Sequence, residues 1–162
     1  MQDRYDCTVS YIIENQNKFY RLAYSYLQNR EAAMDAVQNA IVKALENCYS
    51  LKNPNAMNTW LYRIVVNECL QLLRKTKREE PLTDAETGKL IYLEPAYDRD
   101  RQVYDEVMRL PEALKTVVIL HYYEDLTLKQ ISEVTDTNLS TVKTRLYSAL
   151  KKLKKNWKET EQ

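Results

Sequence analysis

One glycine, Gly88, serves a chain of 162 residues, and four prolines accompany it. Loops that bring backbone against phosphate are built from several glycines, because only glycine lacks the Cβ that blocks the approach. A P-loop, a dinucleotide-binding fingerprint and a glycine-rich kinase loop are therefore excluded. Tight hairpins also depend on glycine at positive φ. Their absence argues against a strand-based fold and predicts an all-α protein. The apolar fraction of 44% is sufficient for packed cores, and the length suits one or two small domains.

Apolar spacing divides the chain. Thr8 is a candidate cap for a first helix, with Val9, Ile12, Ile13, Phe19, Tyr20, Ala23, Tyr24 and Leu27 recurring at steps of three and four. Asn29 breaks it. A second helix is expected over about residues 30–47, with Ala33, Val37, Ile41, Ala44, Leu45 and Cys48 inward. The segment from Tyr49 to Met57 reads as a loop around Lys52-Asn53-Pro54-Asn55, and a third helix follows over about residues 58–78. Residues 79–102 hold two prolines, Gly88 and seven acids against three bases, with no apolar period, and read as a flexible acidic linker. Beyond it, Val103, Val107 and Leu110 mark a short helix, and Pro111 suits the first turn of the next, which carries Leu114, Val117, Val118 and His121. Glu124-Asp125-Leu126 is a turn. Thr127 and Gln130 form a capping box that opens a short helix from Leu128 to Thr135. Asp136-Thr137-Asn138 turns the chain into a last helix running past Lys155, capped by Asn138. The expected architecture is two small helical domains, 1–78 and 103–162, joined by the linker 79–102, with a helix-turn-helix in the second.

The net charge of +1 hides a segregation. Residues 1–78 carry 11 bases and 7 acids, the linker is −4, and residues 127–158 carry 8 bases and 2 acids. Two basic zones thus flank an acidic strap, the footprint of a polyanion partner. On the third helix Arg63, Asn67, Gln71, Arg74 and Arg78 fall within an arc of about 80° at the helical rotation per residue. Leu61, Ile64, Val65, Cys69, Leu72 and Leu73 lie opposite. Guanidiniums bind phosphate, and guanidiniums and amides read base edges. A plain solvated face is the commoner meaning of such a run. Glu68 is the one acid between Arg63 and Arg78, so pairing along the helix cannot account for the bases. Trp60 stands beside the stripe. Core packing is its favoured reading, and stacking on an unpaired base is the alternative. On the last helix Val142, Leu146, Ala149, Leu150, Leu153 and Trp157 make one face. Ser140, Thr144, Tyr147, Ser148, Lys151 and Lys155 lie opposite, with Lys143 and Arg145 on the flanks, as suits a helix entering a major groove.

Signals for chemistry are absent. Cys7, Cys48 and Cys69 are widely spaced, and His121 is the one histidine. A structural zinc site would need every one of these side chains, so buried reduced thiols are expected instead. No nucleophile–base order or metal-ligand motif occurs, so no enzyme activity, cofactor, metal or small-molecule substrate is expected. The N-terminus lacks a basic, then apolar, leader, and the longest aliphatic run is Val117 to Leu120, so a cytoplasmic location is expected.

Tyr20-Arg-Leu-Ala-Tyr through Met34-Asp-Ala-Val-Gln-Asn, followed by Thr59-Trp-Leu-Tyr-Arg-Ile-Val-Val-Asn-Glu, resembles the first conserved region of extracytoplasmic-function (ECF) sigma factors of the sigma-70 family. Leu110-Pro-Glu-Ala-Leu-Lys-Thr-Val-Val-Ile-Leu-His-Tyr-Tyr-Glu-Asp-Leu-Thr-Leu-Lys-Gln-Ile and Ser140-Thr-Val-Lys-Thr-Arg-Leu resemble the second. The resemblance spans nearly the whole chain. It implies an alternative sigma factor that binds core RNA polymerase and recognises the −10 and −35 elements of promoter DNA. It places Asp35 and Gln38, with the adjacent Asn39 and Val42, on the polymerase-docking helix. Lys52, Asn53 and Asn55 fall on the loop that captures a flipped −10 base, and Arg63, Asn67, Gln71, Arg74, Arg78 and Trp60 on the −10 helix. Thr127, Ser140, Thr141, Lys143, Thr144, Arg145, Ser148 and Lys151 fall on the −35 surface. It further implies an anti-sigma partner, often membrane-anchored, and an acidic linker that mimics RNA in the polymerase channel. The family usually has Glu at Asn39, often Asp at Gln71, and usually Gly at Asp136. A helix-turn-helix regulator that binds DNA without polymerase is the alternative reading.

Overall fold

The computed structural model describes residues 3–79 and 101–161, with side chains described over 3–75 and 102–155. Helices and turns account for all regular structure among these residues, and the fold is all-α. The chain divides into two compact units, Met1–Ala96 and Tyr97–Gln162. Most of the segment read as a linker, with Gly88, lies outside the described residues, as do the side chains of Arg78 and Trp157.

The first unit packs three helices, α1 (Arg4–Leu27), α2 (Arg30–Glu46) and α3 (Met57–Glu79), each against the other two. Phe19, Leu22, Leu61 and Val65 are almost wholly buried at its centre, and the Phe19 ring meets Tyr62 edge-on at 5.5 Å. Each such apolar side chain contributes roughly 1.5–3 kcal/mol on burial. The inner face of α2 is made of alanines: Ala33, Ala36, Ala40 and Ala44 are buried, with Val37. Thr8 does not cap α1. The helix starts four residues earlier, and Thr8 is buried inside it, donating its hydroxyl to the Arg4 carbonyl at 2.8 Å. A threonine can satisfy itself against the preceding turn, so its cap preference yields to burial. Ile13, expected inward, is 63% exposed.

The junction of α1 and α2 needs a left-handed residue, and Gln28 takes it at φ 53°, donating its backbone N–H to the Tyr24 carbonyl. The Asn29 side chain then accepts from Ala32 N at 2.9 Å and opens α2. Helix α2 stops at Glu46, so Cys48 is not on its inner face. It is buried instead on a 3-10 turn, Cys48–Ser50. A second 3-10 turn, Pro54–Ala56, leads into α3.

The second unit holds α4 (Arg101–Met108), α5 (Glu112–Val118), α6 (Leu128–Thr135) and α7 (Leu139–Glu161). Helix α4 thus begins at residues assigned from sequence to the linker. Pro111 sits just ahead of α5 as its N-cap. Helix α5 widens into a π-helical turn, Ile119–Tyr123, closed by the Glu124 N–H on the Ile119 carbonyl at 3.0 Å. The widening brings His121 Nδ1 within 2.8 Å of the Leu126 carbonyl and Tyr123 against Tyr104 at 6.1 Å, edge-on. His121 is thereby engaged as a structural group. Asp125 turns the chain at φ 58°. Both halves of the capping box are present: Gln130 N donates to the Thr127 hydroxyl, and Thr127 N to Gln130 Oε1. Asp136 closes α6 at φ 55°, ψ 46°, the left-handed conformation glycine adopts most cheaply. Asn138 Oδ1 accepts from Thr141 N at 2.9 Å and caps α7.

Candidate nucleic-acid interface

Helix α3 exposes Arg63, Asn67, Gln71 and Arg74 on one face, while Leu61, Val65 and Cys69 are buried on the other. Trp60, on the same helix, is half-buried. Arg78 lies on the same helix, with its side chain outside the described residues. Glu68, the one acid of this stretch, is buried at 5% exposure and pairs with Lys43 of α2. A buried carboxylate without a partner is costly, so this pair ties α3 to α2. Burial, aided by the neighbouring Glu68, pushes the Cys69 thiol up to about 12, which leaves it protonated and unreactive at neutral pH.

The loop ahead of α3 presents Lys52, Asn53, Pro54 and Asn55 to solvent, between the buried anchors Leu51 and Met57. Asn53 is not free to use its whole amide: its Oδ1 accepts from Asn55 N at 3.0 Å. The Asn53 amide N–H groups and the Lys52 ammonium remain as donors toward a base or phosphate.

On α2, Asp35, Gln38, Asn39 and Val42 are exposed together on the side away from the alanine face, and Met34 joins them. Val42 at 53% exposure and Met34 at 44% are apolar groups among the polar Asp35, Gln38 and Asn39, a composition suited to a protein partner.

The helix-turn-helix exposes Thr127, Ser140, Lys143, Thr144 and Lys151, whereas Thr141, Arg145 and Ser148 are half-buried on its margins. Leu150, expected on the apolar face, is 40% exposed. Two hydroxyls are already committed as donors: Ser140 to Asn138 Oδ1 at 3.0 Å and Thr144 to the Ser140 carbonyl at 3.0 Å. In that arrangement their oxygens accept rather than donate, which matches the amino groups of cytosine and adenine. Tyr147, read from sequence onto the same face, is 76% exposed there.

Sequence reasoning also missed side chains that support the site from a distance. The Tyr49 hydroxyl donates to Asp3 at 2.6 Å, and this bond is the main cause that raises Tyr49 to about 12. Tyr11 donates to Asn58 Oδ1, and desolvation raises its hydroxyl above the ordinary value. No local spacing announces these pairs. Among the described residues no cluster of His, Cys, Asp and Glu is arranged to hold a metal ion, and no helix is long and apolar enough to cross a membrane.

Comparison with known proteins matches both halves of this arrangement. Residues 12–79 match the family described as sigma-70 region 2, and residues 100–153 match sigma-70 region 4. The chain is 38% identical over 143 residues to the RNA polymerase sigma factor SigV of Bacillus subtilis, covering 88% of this chain and 86% of SigV. It is 29% identical over 160 residues to the ECF sigma factor SigW of the same organism, covering 89% and 85%. In fold it is similar to the sigma factor RpoE of Bartonella quintana, solved with the anti-sigma factor NepR, at a TM-score of 0.68 and 20% identity over 92% of this chain and 97% of that one. Two helical units and these matches agree: the chain belongs to the ECF sigma factors of the sigma-70 family, which are transcription initiation factors.

Proposed function

We propose that this sigma factor divides promoter recognition between its two units while the outer face of α2 holds core RNA polymerase. In the first unit, Lys52, Asn53 and Asn55 take an unstacked −10 base, and the α3 stripe binds the strand beside it through Arg63, Asn67, Gln71 and Arg74, with Trp60 at its border. In the second, α7 enters the −35 major groove with Ser140, Lys143 and Thr144 over base edges and Lys151 on phosphate. Thr127, Thr141, Arg145 and Ser148 flank that contact. Asp35, Gln38, Asn39 and Val42 meet the polymerase. The protein performs no bond chemistry of its own in this reading, and it works in the cytoplasm, where the DNA is.

The observation that carries the proposal is the α3 stripe: four exposed cationic and amide groups on one face, while the single acid of the stretch is turned inward onto Lys43. Among the described side chains of α3, no acid shares that face, as suits a phosphate-binding surface. The chain's likeness to a sigma factor solved with an anti-sigma factor supports a similar inhibitory partner here, one that covers the polymerase and DNA faces.

Run-off transcription with purified core polymerase tests the proposal. Promoter-dependent transcripts that vanish in Arg63→Ala/Arg74→Ala are expected. Binding to a palindromic duplex without polymerase, with no transcript in its presence, would replace this reading by a stand-alone regulator.

A further inference from the structure

The loop that carries Lys52, Asn53 and Asn55 is not held by its own hydrogen bonds alone. Both of its ends are tied to the start of α1. Asp3 accepts from the Tyr49 hydroxyl ahead of the exposed segment, across 46 residues of sequence. Tyr11 donates to Asn58 behind it, across 47 residues. Between them the buried Thr8 hydroxyl, whose proton goes to the Arg4 carbonyl, packs 3.9 Å from the Met57 sulfur, across 49 residues. These contacts bracket the four exposed residues on both sides. All three α1 residues precede the region-2 match, which begins at residue 12.

Asp3 makes the purpose visible. It occupies the N-cap of α1, where an aspartate normally turns back to cap its own helix, yet it makes no side-chain cap bond. Its carboxylate is spent on Tyr49, in a charge-assisted bond. Tyr49 is 68% exposed, so this contact contributes little to stability for the cap it forgoes. What it does supply is position. Apart from its buried anchors Cys48, Leu51 and Met57, the loop consists of two single 3-10 turns, short elements with poor hydrogen-bond geometry. A pocket for one base needs its donors fixed before the base arrives, because ordering them on binding costs affinity and discrimination.

We infer that Asp3, Thr8 and Tyr11 form a clasp that positions the Lys52–Asn55 loop, so that base selectivity at the −10 element is set partly from the first turns of α1. The inference rests on the base-capturing role proposed for the loop. The clasp residues touch no DNA and act through the loop backbone.

Holoenzyme assembled from this chain and core RNA polymerase is incubated with a randomised single-stranded DNA pool, and bound strands are sequenced. Lys52→Ala/Asn55→Ala identifies the base position that the loop selects. At that position Tyr11→Phe/Tyr49→Phe is expected to lower discrimination between bases by roughly fivefold to tenfold, with selectivity elsewhere and polymerase affinity unchanged. Asp3→Ala should act in the same direction, and Asp3→Asn, which keeps an acceptor for Tyr49, should restore selectivity. Asn29→Ala, which weakens the unit at the α2 cap away from the loop, controls for stability. Unchanged discrimination in the tyrosine double variant, or an equal loss in Asn29→Ala, overturns the clasp while leaving base capture standing. A selected position that ignores Lys52→Ala/Asn55→Ala overturns base capture itself, and the clasp with it.

Discussion

The two surfaces assigned to DNA are supported in opposite ways. Around the loop ahead of α3, local bonds such as Asn55 to Asn53 are joined by polar contacts between residues far apart in the chain: Asp3 with Tyr49, Tyr11 with Asn58, Lys43 with Glu68. Around the −35 surface they are local. Thr127 bonds Gln130, Asn138 bonds Ser140 and Thr141, and Thr144 bonds Ser140, none spanning more than four residues. A surface of the first kind depends on the tertiary fold for its shape. One of the second kind depends on its helix ends. A loop that must hold an unstacked base has no repeating geometry of its own and must borrow it, whereas a helix entering a groove brings its geometry along.

Substitutions can sharpen or break this contrast. The largest effect is expected from Lys43→Ala, which leaves Glu68 buried without its partner. We expect a loss of about 1–2 kcal/mol in urea unfolding, reduced from the cost of a fully buried pair because Lys43 is half exposed. Lys43→Ala/Glu68→Gln should recover part of it, and a single variant as stable as the wild type would mean that the pair holds nothing. Next is Asn138→Ala, which removes the α7 cap at a cost of about 1 kcal/mol. Duplex −35 binding by the holoenzyme should weaken with it while single-stranded −10 binding stays constant. Equal losses at both sites would erase the distinction between the surfaces. Smaller still, and opposite in sign, Gln28→Gly and Asp136→Gly should each stabilise by about 0.5–1 kcal/mol, since both replace a left-handed non-glycine residue. Thermal melts check this. The smallest effect is confined to alkali. Tyr49 is raised to about 12 in the folded chain against 10.0 otherwise, so the folded state keeps the proton longer. Its contribution is whole below pH 10 and fades between 10 and about 12, with none lost near neutrality. Ultraviolet titration should show a late tyrosine step near 12 that is lost in Tyr49→Phe, while the raised Tyr11 remains.

The same division explains what could be read from sequence. The capping box at Thr127, the Asn138 cap and the α3 stripe were legible because each signal lies within a turn or repeats at the helical period. The family's usual Gly at Asp136 marked the position that is left-handed in the fold. Thr8 was misread because capping chemistry and a buried helical threonine look alike until the start of the helix is known. The π-helical turn, the left-handed Gln28 and the ties from Asp3 and Tyr11 leave no periodic trace. The last two exist because distant residues meet. Glu68 shows the difference in one residue: along α3 it is a stray acid, and in the fold it is the anchor of the helix.

Helix α2 carries a consequence for how such a protein can diversify. Its inward side is reduced to alanines and one valine, the least side chain that still fills a seam. Folding therefore asks almost nothing of Asp35, Gln38, Asn39 or Val42. Those outward positions, proposed above to meet the polymerase, can change one at a time without disturbing the buried seam. Under that proposal, fit to a partner and competence to fold are written on opposite sides of one rod.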